Sequence, residues 1–142
     1  MLEMSVRTSR NAAVVATMTV AVGLLGMGVA HAEGGFDSSI GGWFPGKESR
    51  HWHDLNHDAA RTTVRFSGCK VDGASRFISA TIQLKKERRA LPDPVIARDN
   101  NTCETSNFGR QGENWYYFNL SRINGGDGSG IRLGVEKVNV RY

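Results

Sequence analysis

Period-two alternation of apolar side chains dominates this sequence once its first residues are passed, and no stretch of helical length spaces them three and four apart. A chain patterned this way is confined to extended strands that bury one face. In residues 74–84, Ile78, Ala80, Ile82 and Leu84 share one parity, while Ser79, Thr81 and Gln83 take the other, as a half-buried strand requires. Val64 and Phe66 share a parity that Cys69 and Val71 do not, and a glycine-permitted bulge at Gly68 brings all four to one side. The same slip recurs near Glu136 and Lys137, between Ile131, Leu133, Val135 and the set Val138, Val140, Tyr142. Asp72-Gly73 tolerates the positive φ angles of a tight turn and predicts a hairpin between residues 62–71 and 74–84. A second hairpin is expected from residues 114–124 and 131–142 across the glycine-rich residues 125–130. Residues 85–108 contain Pro92 and Pro94, which cannot donate to a ladder, and read as a long connection with at most an edge strand. Trp115, Tyr116, Tyr117 and Phe118 are consecutive and put rings on both faces of their strand, so that strand is central and covered twice, or half of it is a binding surface. Two hairpins joined by a long crossing predict an all-β domain, a small β-sandwich or Greek-key-like arrangement.

Upstream the composition changes. Arg7 and Arg10 precede a run without charge over residues 12–30, which ends in Ala30-His31-Ala32, the small-x-small pattern of a cleavage site. Residues 1–32 are therefore expected to be a cleaved signal peptide and the product a secreted, extracellular protein. The apolar run is rich in Ala and Gly with no Lys or Arg before Lys47, which argues against a retained membrane anchor. The domain plan is a flexible Gly-rich N-terminal segment at 33–46 and a β domain at 47–142. The exported part has 16 Lys and Arg against 13 Asp and Glu, a mild and scattered excess. Only Lys85-Lys86-Glu87-Arg88-Arg89 is dense, and it reads as a solvated strand end, so no nucleic-acid partner is expected. Cys69 and Cys103, the two cysteines, are expected to form one disulfide, because an even count outside the cell is normally bridged.

The densest polar group is His51-Trp52-His53-Asp54-Leu55-Asn56-His57-Asp58. On a strand His51 and His53 point the same way, and His57 with Asp58 could fold back to complete a zinc or copper site. The spacing matches no defined histidine motif, so the expectation is no metal and no cofactor, with His51, His53 and His57 the residues to watch. Asp54-x-Asn56-x-Asp58 opens like a calcium loop, but Ala59 and Arg65 stand where an EF-hand needs glycine and glutamate. Asp54 serves equally well as the cap of a short helical turn through Ala60. Glu104 and Glu113 with His51 or His53 offer the acid and base of a small secreted hydrolase or nuclease, although nothing in their spacing selects it.

Residues 33–46 combine mobile Gly and Ser with Phe36, Ile40, Trp43 and Phe44, apolar groups that a disordered tail rarely displays. Either the segment folds back as a first strand, or it adds to a partner's sheet edge and anchors there through its rings. These four residues and Trp52 are the expected partner contacts. The expected function is a secreted, non-enzymatic protein-binding or adaptor domain. The alternatives are a carbohydrate-binding module stacking Trp43, Trp52 or Trp115 on sugars, the hydrolase or nuclease above, and a protease inhibitor presenting Arg89-Ala90-Leu91-Pro92.

The pattern from Trp43 through Glu48-Ser49-Arg50-His51-Trp52-His53-Asp54 to Phe66-Ser67-Gly68-Cys69 and Asn101-Thr102-Cys103 resembles small secreted proteins of Streptomyces-type actinobacteria. Some of these are similar to the small adaptor subunit of umbrella toxin particles. That resemblance, which spans the exported chain, implies bridging without catalysis inside an extracellular toxin complex. Its implied partners are a large toxin chain and a lectin-like subunit.

Overall fold

The computed structural model describes residues 33–128 and 130–142, so the expected signal peptide lies outside the described residues. Eight strands account for the regular structure: β1 (Gly35–Trp43), β2 (Trp52–Asp54), β3 (Thr63–Asp72), β4 (Ala80–Lys86), β5 (Val95–Asn101), β6 (Thr105–Asn107), β7 (Asn114–Ile123) and β8 (Arg132–Arg141). They form two four-stranded sheets, ordered β1-β8-β3-β6 and β2-β7-β4-β5, with every pairing antiparallel. The described residues are all-β, and their two sheets close a sandwich over Val64, Phe66, Ile82, Leu84, Phe118, Leu120, Leu133, Val135, Val138 and Val140. No described helix is long and apolar enough to cross a membrane.

The two parity slips read from the sequence fall on a single rung. Ser67 pairs with Lys137 and Cys69 with Val135, so Gly68 faces Glu136 with no change of register between β3 and β8. Both strands turn over together, and the apolar residues on either side of the rung stay inside. Gly68 has φ 66° and Glu136 lies against it: a methyl there would sit 2.5 Å from Glu136 Oε2.

The two predicted hairpins are not hairpins. β3 and β4 lie in different sheets, as do β7 and β8, and β4–β5 is the one pair of consecutive described strands that hydrogen-bond. Both connections are arches across the sandwich, and they lock onto each other. Asn124 Oδ1 accepts from Ile78 N at 2.7 Å and Ser79 N at 3.2 Å, Asn124 Nδ2 donates to the Arg76 carbonyl at 2.9 Å, and Asn124 N donates to the Ser79 carbonyl at 2.7 Å. The backbone polar groups that a hairpin would pair across its own turn are satisfied by the other arch. Gly73, at φ 88°, packs so close that any side chain would collide with the Gly130 carbonyl.

The long connection supplies two short edge strands, β5 in one sheet and β6 in the other. Between them Asn101 is fully buried: its Oδ1 accepts from Cys103 N and Glu104 N, and its Nδ2 donates to the Glu104 carbonyl and Ser106 Oγ. This turn presents Cys103 to Cys69 on β3, and the expected disulfide forms with Cα atoms 5.8 Å apart. A bridge of this kind belongs to an oxidising compartment.

The segment expected to be flexible is β1. Phe36 pairs with Val140 and Ile40 with Val135, so the backbone of this stretch is satisfied by its own domain. Beyond β1, Gly34 N donates to the Tyr142 carbonyl at 2.8 Å and Tyr142 N returns the bond at 3.0 Å.

Replacing both cysteines by serine removes a cross-link between residues 34 apart and should lower unfolding free energy by about 3 kcal/mol in urea titrations. Asn124→Ala should cost about 2–3 kcal/mol, because it orphans backbone groups of the neighbouring arch. Little change would mean that water replaces the clip.

Candidate functional site

Strand alternation gives the sandwich two unlike outer faces. On the β1-β8-β3-β6 sheet, the exposed positions of β3 and β8 include Arg65, Lys70, Asp72, Arg132, Glu136 and Lys137, all charged. On the β2-β7-β4-β5 sheet, Tyr116, Phe118 and Leu120 of β7 turn inward, while Trp115, Tyr117 and Asn119 turn outward. This strand is central and its rings occupy both faces, as four consecutive aromatic residues require.

Register assembles the outer face row by row. His53 pairs with Trp115, and their rings stack 4.9 Å apart at 6°. Lys85 pairs with Tyr117 on one side and Val95 on the other, and His51 stacks on Tyr117 at 4.1 Å. Next come Arg98, Gln83 and Asn119 in one row, with Glu48 bridging to Asn119. Trp115 is 46% exposed, and Val95 and Ile96 of the edge strand are exposed nearby. Leu91, at 59%, projects from residues 87–94, the loop joining β4 to β5. Apolar surface therefore gathers where β7 begins.

That loop is fastened to the sheet. Asp93 Oδ1 accepts from Arg88 N at 2.8 Å and Asp93 Oδ2 accepts from the Tyr117 hydroxyl at 2.8 Å. The Arg88 amide and the Tyr117 hydroxyl hold the Asp93 carboxyl below its usual range. Burial and the bond to Asp93 push Tyr117 well above the ordinary phenol value, so it stays a neutral donor. His51 contacts Glu87 through Nδ1 and Glu48 through Nε2, the latter at 3.4 Å. Burial opposes charge on its ring, but bonds to Glu87 and Glu48 and the charges of both outweigh this and raise its pKa above 6.5.

The expected partner contacts separate. Trp52 is 2% exposed and Ile40 5%, so both are core and neither is a contact. Trp52 sits where the sheets meet, 5.9 Å from Phe36, 5.8 Å from Tyr142 and 6.5 Å from Tyr116. Its place on β2 beside Tyr116 fixes this burial, which the isolated motif did not reveal. Phe36 and Trp43 are half-buried, and Trp43 packs 6.1 Å from Phe118. Of the four N-terminal residues Phe44 alone is exposed, at 44%, beneath the Arg132 guanidinium.

The histidines go three ways. His51 and His53 share a face, but each is engaged by an aromatic ring and by carboxylates, with His53 3.8 Å from Glu113. His57 lies in the loop after β2, where its backbone N donates to Glu33. Asp54 and Asp58 cap their own chain in two tight Asx-turns, bonding Asn56 N and Ala60 N at 2.8 Å each, and not a helical turn. Glu104 belongs to the β5–β6 turn, where it accepts from Thr102, so Glu104 and Glu113 are not brought to one centre. Ala90 has φ 56°, a left-handed kink immediately after Arg89, and residues 89–92 lack the extended form a protease cleft accepts.

What the residues alone did not yield is the row of Arg98, Gln83 and Asn119. Its members come from three strands, and parity placed only Gln83 on an outward face. No protein-family model matches the chain, and the comparisons with curated proteins and with solved structures return no match.

The His51 contact makes stability depend on pH. Its folded pKa is raised, so the contribution is fully present below pH 6.5 and is lost as pH rises through the elevated value. Urea midpoints measured across that range should fall with pH in the native protein and flatten in His51→Gln. An identical slope in both would show that His51 is uncoupled from the fold.

Proposed function

We propose that this chain is a secreted, non-catalytic adaptor or protein-binding domain, working through the outer face of the β2-β7-β4-β5 sheet. The observation that carries this reading is the contrast between faces: one outer surface is charged and solvated, while the other sets Trp115, Val95, Ile96 and Leu91 around an ordered aromatic and polar array. Exposed apolar groups collected at one end of a face and rimmed by polar side chains fit protein recognition, and an exposed Trp is the usual energetic anchor. The disulfide supports an extracellular setting, and Ala30-His31-Ala32 supplies the route there. A large toxin chain and a lectin-like subunit, suggested by the sequence resemblance, are the first partners to try.

A second reading follows from one particular contact. Trp115 stacked flat on His53, with the amides of Asn119 and Gln83 farther along the face, is also suited to sugar rings.

Trp115→Ala with Leu91→Ser should weaken capture of purified secreted partners at least tenfold by surface plasmon resonance, while leaving the thermal midpoint nearly unchanged. Undiminished capture would move the interface off this face. Retention on insoluble polysaccharide that is lost with Trp115→Ala, in the absence of protein capture, would establish the sugar reading instead.

A further inference from the structure

Farther along the same face lies an open hollow of about 240 Å³, lined by Thr81, Gln83, Arg98, Ser121, Arg122 and Asp127. From Trp115 to Ser121 along β7 is roughly 20 Å at about 3.3 Å per residue, so this is a second feature and not the apolar end. Neither of its two guanidiniums is paired with a carboxylate among the described residues, and that of Arg98 is held in place. With the Gln83 amide oriented by its partners, its carbonyl accepts from Arg98 Nη2 at 2.7 Å and Nε at 3.2 Å, and its NH₂ donates to Asn119 Oδ1 at 3.1 Å. A neutral amide thus holds Arg98 by one edge and leaves Nη1 and the full charge available. Among the described residues neither Arg98 nor Arg122 takes part in an ion pair; those present belong to His51, His53, Lys137 and Arg141. The hydroxyls are already committed, Thr81 Oγ1 to Asn100 Oδ1 at 2.6 Å and Ser121 Oγ to the Thr81 carbonyl at 3.2 Å. With both hydroxyl protons spent, the arginine N–H groups are the charged donors the hollow offers an incoming acceptor.

We propose that Arg98 and Arg122 form a carboxylate-binding site that takes an Asp or Glu side chain of the protein partner. This rests on the protein-binding reading above and names the chemistry its partner must present. Guanidinium donors match a planar carboxylate in geometry, and such charge-assisted bonds are stronger than neutral ones. Asp127 on the rim leaves a local balance of one positive charge, which suits a single monoanion better than a sulfate or phosphate dianion. The face then reads its partner twice, by an apolar group at Trp115 and by an acidic group about 20 Å along.

Acetate is the probe, titrated at fixed ionic strength against chloride and followed by amide NMR shifts. Saturable shifts are expected at residues 81–83, 98 and 121–122. Affinity should fall about tenfold in Arg98→Gln and in Arg122→Gln, and should rise in Asp127→Asn. Trp115→Ala should leave the acetate response intact, so loss of partner capture in that variant with acetate binding retained separates the two sites. Absence of saturable shifts would overturn the proposal. So would an equal loss in Arg65→Gln, which lines another basic hollow with Ser67, Lys137 and Asn139 on the opposite face, because the response would then be diffuse charge. Stronger binding of sulfate than acetate, together with arginine-dependent retention on a sulfated polysaccharide, would assign the hollow to a glycan and also overturn it.

Discussion

The shared turnover of β3 and β8 at Gly68 and Glu136 is the constraint on which the rest of the sandwich depends. These two strands form a nine-pair ladder from Thr63↔Arg141 to Asp72↔Arg132, through the middle of their sheet. If either changed parity alone, half of its apolar residues would turn to water, at roughly 1.5–3 kcal/mol for each large side chain. Because both change together, Val64, Phe66, Val138 and Val140 on one side of the rung and Leu133 and Val135 on the other remain buried in one core. Cys69 is the first residue past the turnover on β3, and its inward position lets Cys103 reach it. A side chain at position 68 would displace Glu136 and disturb both strands at once.

Much of this was legible in the sequence. Alternation gave the strands their buried faces, except that Ile78, read with Ala80, Ile82 and Leu84, lies before β4 and is exposed; two parity breaks located the turnover, two cysteines left one pairing, and four consecutive aromatic residues marked β7 as central. What failed was strand order. Asp72-Gly73 and the glycine-rich stretch at 125–130 are turn-permissive, and local composition cannot distinguish a hairpin from an arch that changes sheets. The distinction lay in Asn124, whose amide serves the backbone of residues 76–79 from 45 or more positions away. Two of the candidate contacts failed for a related reason. Ile40 and Trp52 are large apolar residues in polar, glycine-rich surroundings, and they read as exposed until β1 and β2 are given neighbours.

The outer face of the β2-β7-β4-β5 sheet shows how a flat surface can be kept ordered. Tyr117 lies beneath His51 on one side and is bonded to Asp93 on the other, so one buried ring ties the segment before β2 to the β4–β5 loop. Leu91 on that loop is thereby presented from a fixed base, which on the proposed binding reading would reduce the entropy lost on association. The polar row beyond is built the same way: each amide fixes its neighbour, and charge remains at the end of the chain of bonds.

β8 lies between β1 and β3, with Gly34 and Tyr142 exchanging backbone bonds beside it. The first described strand can find no partner until residues 132–141 have been synthesised. β3 and β6 can pair earlier, but β1 joins the sheet only through β8, so this half of the sandwich closes through contacts distant in sequence. Loss of residues 132–141 would therefore leave β1 without a ladder and β3 with only its short pairing to β6.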